Sequence, residues 1–372
     1  MNKVISVVGA RPNFMKVAPI HRAFEKYSDK IEHIIVHTGQ HYDPNMSDAF
    51  FKDLDMPQPR YFMGVGSGTH AEQTARVMVE FERIIKEVRP DLVIVVGDVN
   101  STLACGITAV KEGVMLVHVE GGLRSFDREM PEEINRIVTD SIADYCFVTE
   151  ESAIKNLSHE GFPNERIFHT GNVMIDSQHY ALPKARQSDV LNRLGLSTGE
   201  YILCTLHRPS NVDVESQITK LIDIFSDVTR SRKIVFPMHP RTRKNLVNFG
   251  LVEKVEAIRN LIIIDPVGYV DFLALMMNSD FVVTDSGGIQ EETTALKIPC
   301  LTLRTSTERP ITCEIGTNTL VSPKAENIRD EMFRMIAAGH VAGSVPELWD
   351  GHAAERIAEI IYNMFDNHKS RD

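Results

Sequence analysis

Short runs of apolar, mostly β-branched residues recur along the chain, each giving way to a stretch with helical spacing. The first half carries "KVISVVGA", "IEHIIVHT", "DLVIVVGD", "MLVHVEGG", "YCFVTE" and "RIFHTGN". After the polar stretch "LPKARQSD" the rhythm restarts with "YILCTLHR", "KIVFPMHP", "LIIIDPVG", "FVVTDSGG" and "CLTLRTST". Strands alternating with helices predict parallel sheets wound by right-handed crossovers. Two such series predict an α/β chain of two doubly wound domains, with a boundary within residues 172–190. Thr69 and Glu72 have capping-box spacing ahead of an apolar-periodic segment that Pro90 closes, which predicts a helix between them. The C-terminal "HAAERIAEIIYNMF" carries an apolar face through Ala354, Ile357 and Ile361 and predicts a packing helix, with "DNHKSRD" frayed behind it.

Polar residues fall where most of the strands end: Arg11, His37, Asp98, Glu120, Thr149, His207, His239, Asp265, Asp285 and Arg304. Strand carboxyl ends line the ligand crevice of open parallel sheets, so the set points to a site there. Composition narrows what such a site binds. A net charge of −11 over 372 residues argues against a nucleic-acid or membrane-surface binder. The five cysteines form no C-x-x-C pair and most sit in apolar runs, as expected of a reduced, cytoplasmic protein. The opening "MNKVISVVGARP" reads as a strand rather than a signal peptide, and no run approaches the roughly 18 apolar residues of a membrane span.

Candidate chemistry sits on these strand ends. Arg11 and Lys16 in "GARPNFMK" flank a strand-to-helix turn suited to an anion. The turn lacks the G-x-G-x-x-G fingerprint, and "GVGSGTH" lacks the P-loop Lys-Ser/Thr, which counts against a nicotinamide dehydrogenase and an ATPase. Asp98, Glu120, Glu132 and His207 are candidate acids and bases, although a glutamate at a helix start also serves the helix dipole. The histidines are dispersed and no H-E-x-x-H occurs, so no metal site is expected. "DSGGIQEE" poses a puzzle, because two carboxylates follow a glycine turn that looks built for a phosphate.

Taken in order, "GARPNFMK", "HTGQHY", "GDVNSTLA", "HVEGGLRS", "PEEINR", "TGN", "HRPSN", "DSGGIQEE" and "RTSTERP" resemble the non-hydrolysing UDP-N-acetylglucosamine 2-epimerases across nearly the whole chain. The resemblance implies two Rossmann-like domains of the glycosyltransferase-B type facing a central cleft. It places the first at residues 1–175, joined by the C-terminal helix at about 352–366, and the UDP-binding one at 176–351. It implies that Ser286, Gly287 and Gly288 receive the diphosphate and that Glu292 accepts from the ribose hydroxyls, where the nucleotide is neutral. Arg11, Lys16, Arg136 and Arg309 become substrate contacts, and Asp98, Glu120, Glu132 and His207 match the acid–base positions. The implied reaction needs no cofactor: UDP leaves, a 2-acetamidoglucal forms, and UDP adds back after protonation from the other face. Domain closure and a homodimer are expected. An activator site is implied at Gln40, His41, Arg76, Arg208 and His239, although Asp43 stands where glutamine is usual. Other departures are Asn13 for glutamate, Gly121 for alanine, Ile311 after "TERP", and "HRPSN" for a more basic motif. A UDP-diacetamido-uronate is the alternative substrate; a glycosyltransferase of the same fold and a nucleotide-sugar sensor are the alternative functions.

Overall fold

The computed structural model describes residues 1–39, 53–324, 326–339 and 343–369. The chain forms two compact units, one of Met1–Tyr180 with Glu347–Asp372, the other of Ala181–Pro346. The first holds seven strands: β1 (Asn2–Val8), β2 (Ile31–His37), β3 (Tyr61–Phe62), β4 (Leu92–Val96), β5 (Met115–Val119), β6 (Tyr145–Val148) and β7 (Ile167–His169). They are ordered β3-β2-β1-β4-β5-β6-β7, and every pair is parallel. The second holds β8 (Tyr201–Thr205), β9 (Lys233–Pro237), β10 (Leu261–Ile264), β11 (Phe281–Thr284), β12 (Cys300–Leu303) and β13 (Asn318–Val321). Their order is β10-β9-β8-β11-β12-β13, again all parallel. The expected fold class of two doubly wound α/β units is therefore present. Strands β3 and β13 are additions to the apolar runs read from sequence: β3 has only two residues, and β13, Asn-Thr-Leu-Val, is half polar.

Period two explains how each sheet holds its helices. Ile5, Val7, Ile34, Val36, Val93 and Val95 point to one face and meet Val77, Phe81, Ile84 and Ile85 of the helix His70–Val88. In the second unit Ile202, Cys204, Ile234, Phe236 and Val283 meet Ile218, Leu221, Ile222 and Phe225 of the helix Glu215–Val228. The central strands, such as β4 and β11, are buried on both faces, which is why they read as unbroken apolar runs. Thr69 caps the helix His70–Val88 as its spacing predicts, accepting from the Glu72 amide at 3.3 Å while Glu72 accepts from the Thr69 amide at 3.0 Å. Among the described residues no helix is long and apolar enough to cross a membrane.

The C-terminal helix, Ala353–Lys369, belongs to the first unit and runs beyond the expected fraying point. Tyr362 stacks on Tyr27 at 4.6 Å between ring centroids. Trp349 Nε1 donates to the Thr149 carbonyl at 2.9 Å. The helix start is capped from a distance: Asp176 accepts from the amides of Ala353 at 3.1 Å and Ala354 at 2.7 Å. Burial pushes the Asp176 carboxyl up to about 6, against the pull of those two amides.

A raised folded-state pKa means that the native chain takes up this proton before the unfolded one does. Stability from this group therefore rises as pH falls from about 6 towards 3.8 and is flat well above that window. Asp176→Asn removes the titration. In urea unfolding, the wild type should gain on the variant by up to about 3 kcal/mol between pH 7 and pH 4. A pH-independent difference, or one of opposite slope, would contradict this assignment.

Candidate active site

The strand order reverses between β1 and β4 in one unit and between β8 and β11 in the other. At such a switch point neighbouring crossovers leave on opposite faces and open a crevice at the strand carboxyl ends. The residues that follow these four strands are the turn Gly9–Pro12, Gly97–Asp98, His207–Arg208 and Asp285–Gly288. Topology thus delivers the sequence candidates to the two places where an open parallel sheet accepts a ligand.

In the first unit the turn after β1 is fastened by Asn13. Its Oδ1 accepts from the amides of Ala10 at 2.9 Å and Gly9 at 3.2 Å, and its Nδ2 donates to the Val96 carbonyl at 3.0 Å. A glutamate could accept there but could not donate to β4, so asparagine here ties the two switch-point strands together. Lys16, buried one turn further along, pairs with Glu120. Glu120 directly follows β5 and has a left-handed backbone, φ 69°, anchored by its amide to the Phe147 carbonyl at 3.0 Å. Such a backbone is strained for a side chain this size and persists where surroundings over-determine it, often at functional sites. Gly97 shares the constraint. Its φ is +67°, and a Cβ would stand 2.7 Å from Lys16 Nζ, so glycine is required for the ammonium to lie there. At Gly121 a Cβ would lie 3.0 Å from both Asp140 Oδ1 and Cys146 Sγ, so these neighbours occupy the room an alanine would need.

A second ion cluster flanks the first. Arg136, only 2% exposed, pairs with Asp98 and holds Glu133 at 2.6 Å. Glu133 also accepts from the amides of Ser125 at 3.0 Å and Phe126 at 2.8 Å. Burial raises the Glu133 carboxyl, but those amides and Arg136 outweigh it and hold it below its ordinary value. Glu132, the candidate from sequence, is exposed at the first turn of the helix Pro131–Ile142, while its neighbour Glu133 is the buried anchor. The i,i+3 spacing of Glu133 and Arg136 was the sequence signal for that pair. His118 is structural: it bridges Asp140 at 2.6 Å and the Gly97 carbonyl at 2.8 Å.

In the second unit His207 Nδ1 lies 2.9 Å from Asp285 Oδ1. Asp285 is fully buried and also accepts from the His207 and Arg208 amides and from Asn211 Nδ2. Burial opposes its charge, yet His207, Asn211 and Arg208 together keep the carboxyl below its usual value. An imidazole held at Nδ1 presents Nε2 outward, which sets the tautomer available for proton transfer. Asp285 is named above only as a strand end; its role as the His207 partner appears once the chain is folded.

Ser286 caps the helix Gly287–Leu296 without a side-chain cap bond, leaving the first-turn amides for an anion. A Cβ on Gly287 would lie 2.7 Å from Glu308 Oε1 and 2.9 Å from Arg309 Nη1, so the turn is packed directly on an ionic cluster. Arg309 sits 2.8 Å from Glu291 and pairs with Glu308, which Arg304 meets at 2.7 Å. Glu292 instead accepts from the Tyr269 hydroxyl at 2.6 Å. The puzzle of the two carboxylates resolves: one faces a guanidinium and the other a neutral phenol, at successive positions of one helix.

Of the remaining candidates, Gln40 and His41 lie outside the described residues, as does the Arg11 side chain. Arg76 belongs to the first unit, where it donates to the Ser67 carbonyl at 2.9 Å. Arg208 and His239 belong to the second; Arg208 donates to the Asp285 carbonyl at 3.0 Å and His239 caps the helix Pro240–Asn248. Asp98, Glu120, Glu132, Lys16 and Arg136 fall in one unit and His207, Ser286, Gly287, Gly288, Glu292 and Arg309 in the other.

Breaking the Lys16–Glu120 pair on one side should strand a buried charge. Lys16→Met is expected to lose about 3–5 kcal/mol in urea unfolding, with much of that recovered in Lys16→Met/Glu120→Gln. A loss under about 1 kcal/mol for the single variant would mean that water reaches the pair.

A profile of the UDP-N-acetylglucosamine 2-epimerase family matches residues 22–362. A UDP-N-acetylglucosamine 2-epimerase homolog of Methanococcus maripaludis is 41% identical over 97% of this chain and 100% of its own. A UDP-2,3-diacetamido-2,3-dideoxy-D-glucuronate 2-epimerase of Pseudomonas aeruginosa is 38% identical over 97% of this chain and 100% of its own. Among solved structures, a UDP-GlcNAc 2-epimerase of Methanocaldococcus jannaschii in complex with UDP-GlcNAc and UDP is similar at a TM-score of 0.88 and 39% identity, covering 97% of this chain and 99% of that one. With a profile match along most of its length and relatives this similar end to end, the chain belongs to the UDP-N-acetylglucosamine 2-epimerase family.

Proposed function

We propose that this protein interconverts UDP-N-acetylglucosamine and UDP-N-acetylmannosamine by removing and restoring UDP. The C2 proton of the intact sugar is next to no carbonyl and is not acidic. Departure of UDP changes that: the electrons of the C2–H bond form a double bond to C1 while the C1–O electrons leave with the diphosphate. The product of this half-reaction is 2-acetamidoglucal. A proton delivered to the opposite face of C2, followed by return of UDP to C1, completes the inversion. No redox coenzyme enters this balance.

The observation that carries the reading is that each unit holds paired acids and bases behind its strand ends: Glu120 against Lys16 and Asp98 against Arg136 in the first, His207 against Asp285 in the second. A binding-only sensor needs the nucleotide residues but no such set. Proton transfer to and from both faces of a ring requires several donors and acceptors, which Asp98, Glu120, Glu132 and His207 supply. In the second unit, the amides behind Ser286 are suited to stabilise the departing diphosphate. A UDP-diacetamido-uronate stands as the second substrate reading, because the Pseudomonas aeruginosa relative is nearly as similar to this chain as the Methanococcus maripaludis one.

The test is purified protein with UDP-N-acetylglucosamine in deuterated water, without NAD or acceptor. Deuterium at C2 and a mixture of the two epimers is the expected result, with Glu132→Gln losing exchange while still binding UDP. Transfer only on adding an acceptor would point to a glycosyltransferase, and tight binding without exchange to a sensor. Exchange confined to the diacetamido-uronate would move the assignment to that sugar.

A further inference from the structure

Strand β13 opens on Asn318, a buried amide at the rim of the second sheet. A side-chain amide taken out of water must find protein partners for its donors and its acceptor. Asn318 Oδ1 accepts from the hydroxyl of Thr302 on β12 at 2.6 Å. Its Nδ2 donates to Gln290 Oε1 at 3.0 Å and to Thr312 Oγ1 at 3.2 Å, with Cys313 Sγ beside them at 3.3 Å. Gln290 and Thr312 are themselves buried, so the three side chains form one polar network inside the unit.

Two backbone carbonyls fix the direction of the bonds in this network. A carbonyl only accepts, so Thr312 Oγ1, 2.8 Å from the Arg309 carbonyl oxygen, gives it the hydroxyl proton. The lone pairs left on that Oγ1 require a donor, which makes Asn318 present its NH2 group. That group requires an oxygen from Gln290, which therefore turns its own NH2 group to the Ser286 carbonyl at 3.2 Å. Gln290 Oε1 also accepts from the Thr307 hydroxyl at 2.8 Å, and the Thr307 oxygen takes the Arg309 amide at 3.1 Å. Arg309 is thus held at both of its backbone groups, and the same network ends on the cap of the helix Gly287–Leu296. Donors aimed at an anion act together only when their spacing is fixed beforehand. We propose that Asn318 is a positioning residue for the diphosphate: working through Gln290 and Thr312, it sets the spacing between the Ser286 turn and the Arg309 backbone. The inference rests on the reading of that turn as the diphosphate site.

Asn318→Leu keeps the volume, adds no charge and removes the donors. Calorimetric dissociation constants for UDP and UMP isolate the terminal phosphate. The wild type should prefer UDP by about 10- to 100-fold, the value of hydrogen bonds to a charged group. In Asn318→Leu that preference should fall to about threefold or less, because a displaced donor contributes little. UMP should bind as tightly as to the wild type, which also shows that the variant is folded. Thr312→Val cuts only the arm to Arg309 and should lose part of the preference, whereas Thr312→Ser retains the hydroxyl and should keep it. If Asn318→Leu keeps the wild-type preference, or Thr312→Ser is as impaired as Thr312→Val, the proposal fails while the reading of the turn stands. If Asn318→Leu weakens both ligands equally, Asn318 acts only in packing and the proposal again fails. Should Asn318→Leu not fold, the two Thr312 variants decide by the same criterion. If the wild type binds UDP no better than UMP, the diphosphate reading of the turn fails and takes the proposal with it.

Discussion

A charge leaves water only when another group takes over the work of its hydration shell. That constraint governs the ends of these strands. Glu120 has Lys16, Asp98 and Glu133 share Arg136, Asp285 has His207 and a set of amides, and Glu291 has Arg309. Apart from Glu133 and Arg136, which share one helix, each pairing joins an element of one crossover to an element of another. The ionic chemistry that equips the site therefore also sets the geometry of the turns. Gly97 must lack a side chain for Lys16 to reach its place, and Gly287 must lack one beside Glu308 and Arg309. Glu120 adopts a left-handed backbone to meet its partner.

Parallel topology is what makes the arrangement economical. Strands buried on both faces cannot carry polar residues along their length, so polar chemistry collects where they end. The reversal of strand order after β1 and β8 then leaves those ends uncovered by a crossover helix. Anions find helix amides there, and acids and bases find partners that fix their orientation. His207 illustrates the result: its Nδ1 is committed to Asp285, which fixes the ring.

Much of this was legible in the sequence. The apolar runs marked eleven strands, and both the Thr69 and Glu72 spacing and the glycine turn at 287–288 marked helix starts. Strands β3 and β13 were not legible, because β3 has two residues and β13, Asn-Thr-Leu-Val, is half polar and forms no apolar run. The partners of the site residues were harder still. Asp285 lies 78 positions from His207, and Tyr269 lies 23 positions from Glu292; only folding brings them together. Within "PEEINR" the sequence could not say which glutamate is buried, since that depends on the loop whose amides Glu133 collects. Asn13 looked like a departure from family pattern, but it takes on a bond to β4 that a glutamate could not make.

The proposed reaction opens and closes the sugar–phosphate bond around the inversion at C2. In that reading the helix amides behind Ser286 stabilise the diphosphate as it leaves. The most direct measurement is positional isotope exchange with UDP-N-acetylglucosamine carrying heavy oxygen at the bridge between C1 and the β-phosphorus. The account predicts that the label scrambles into the non-bridging β-phosphate positions as the epimers equilibrate. Inversion at C2 with the label held entirely in the bridge would contradict it.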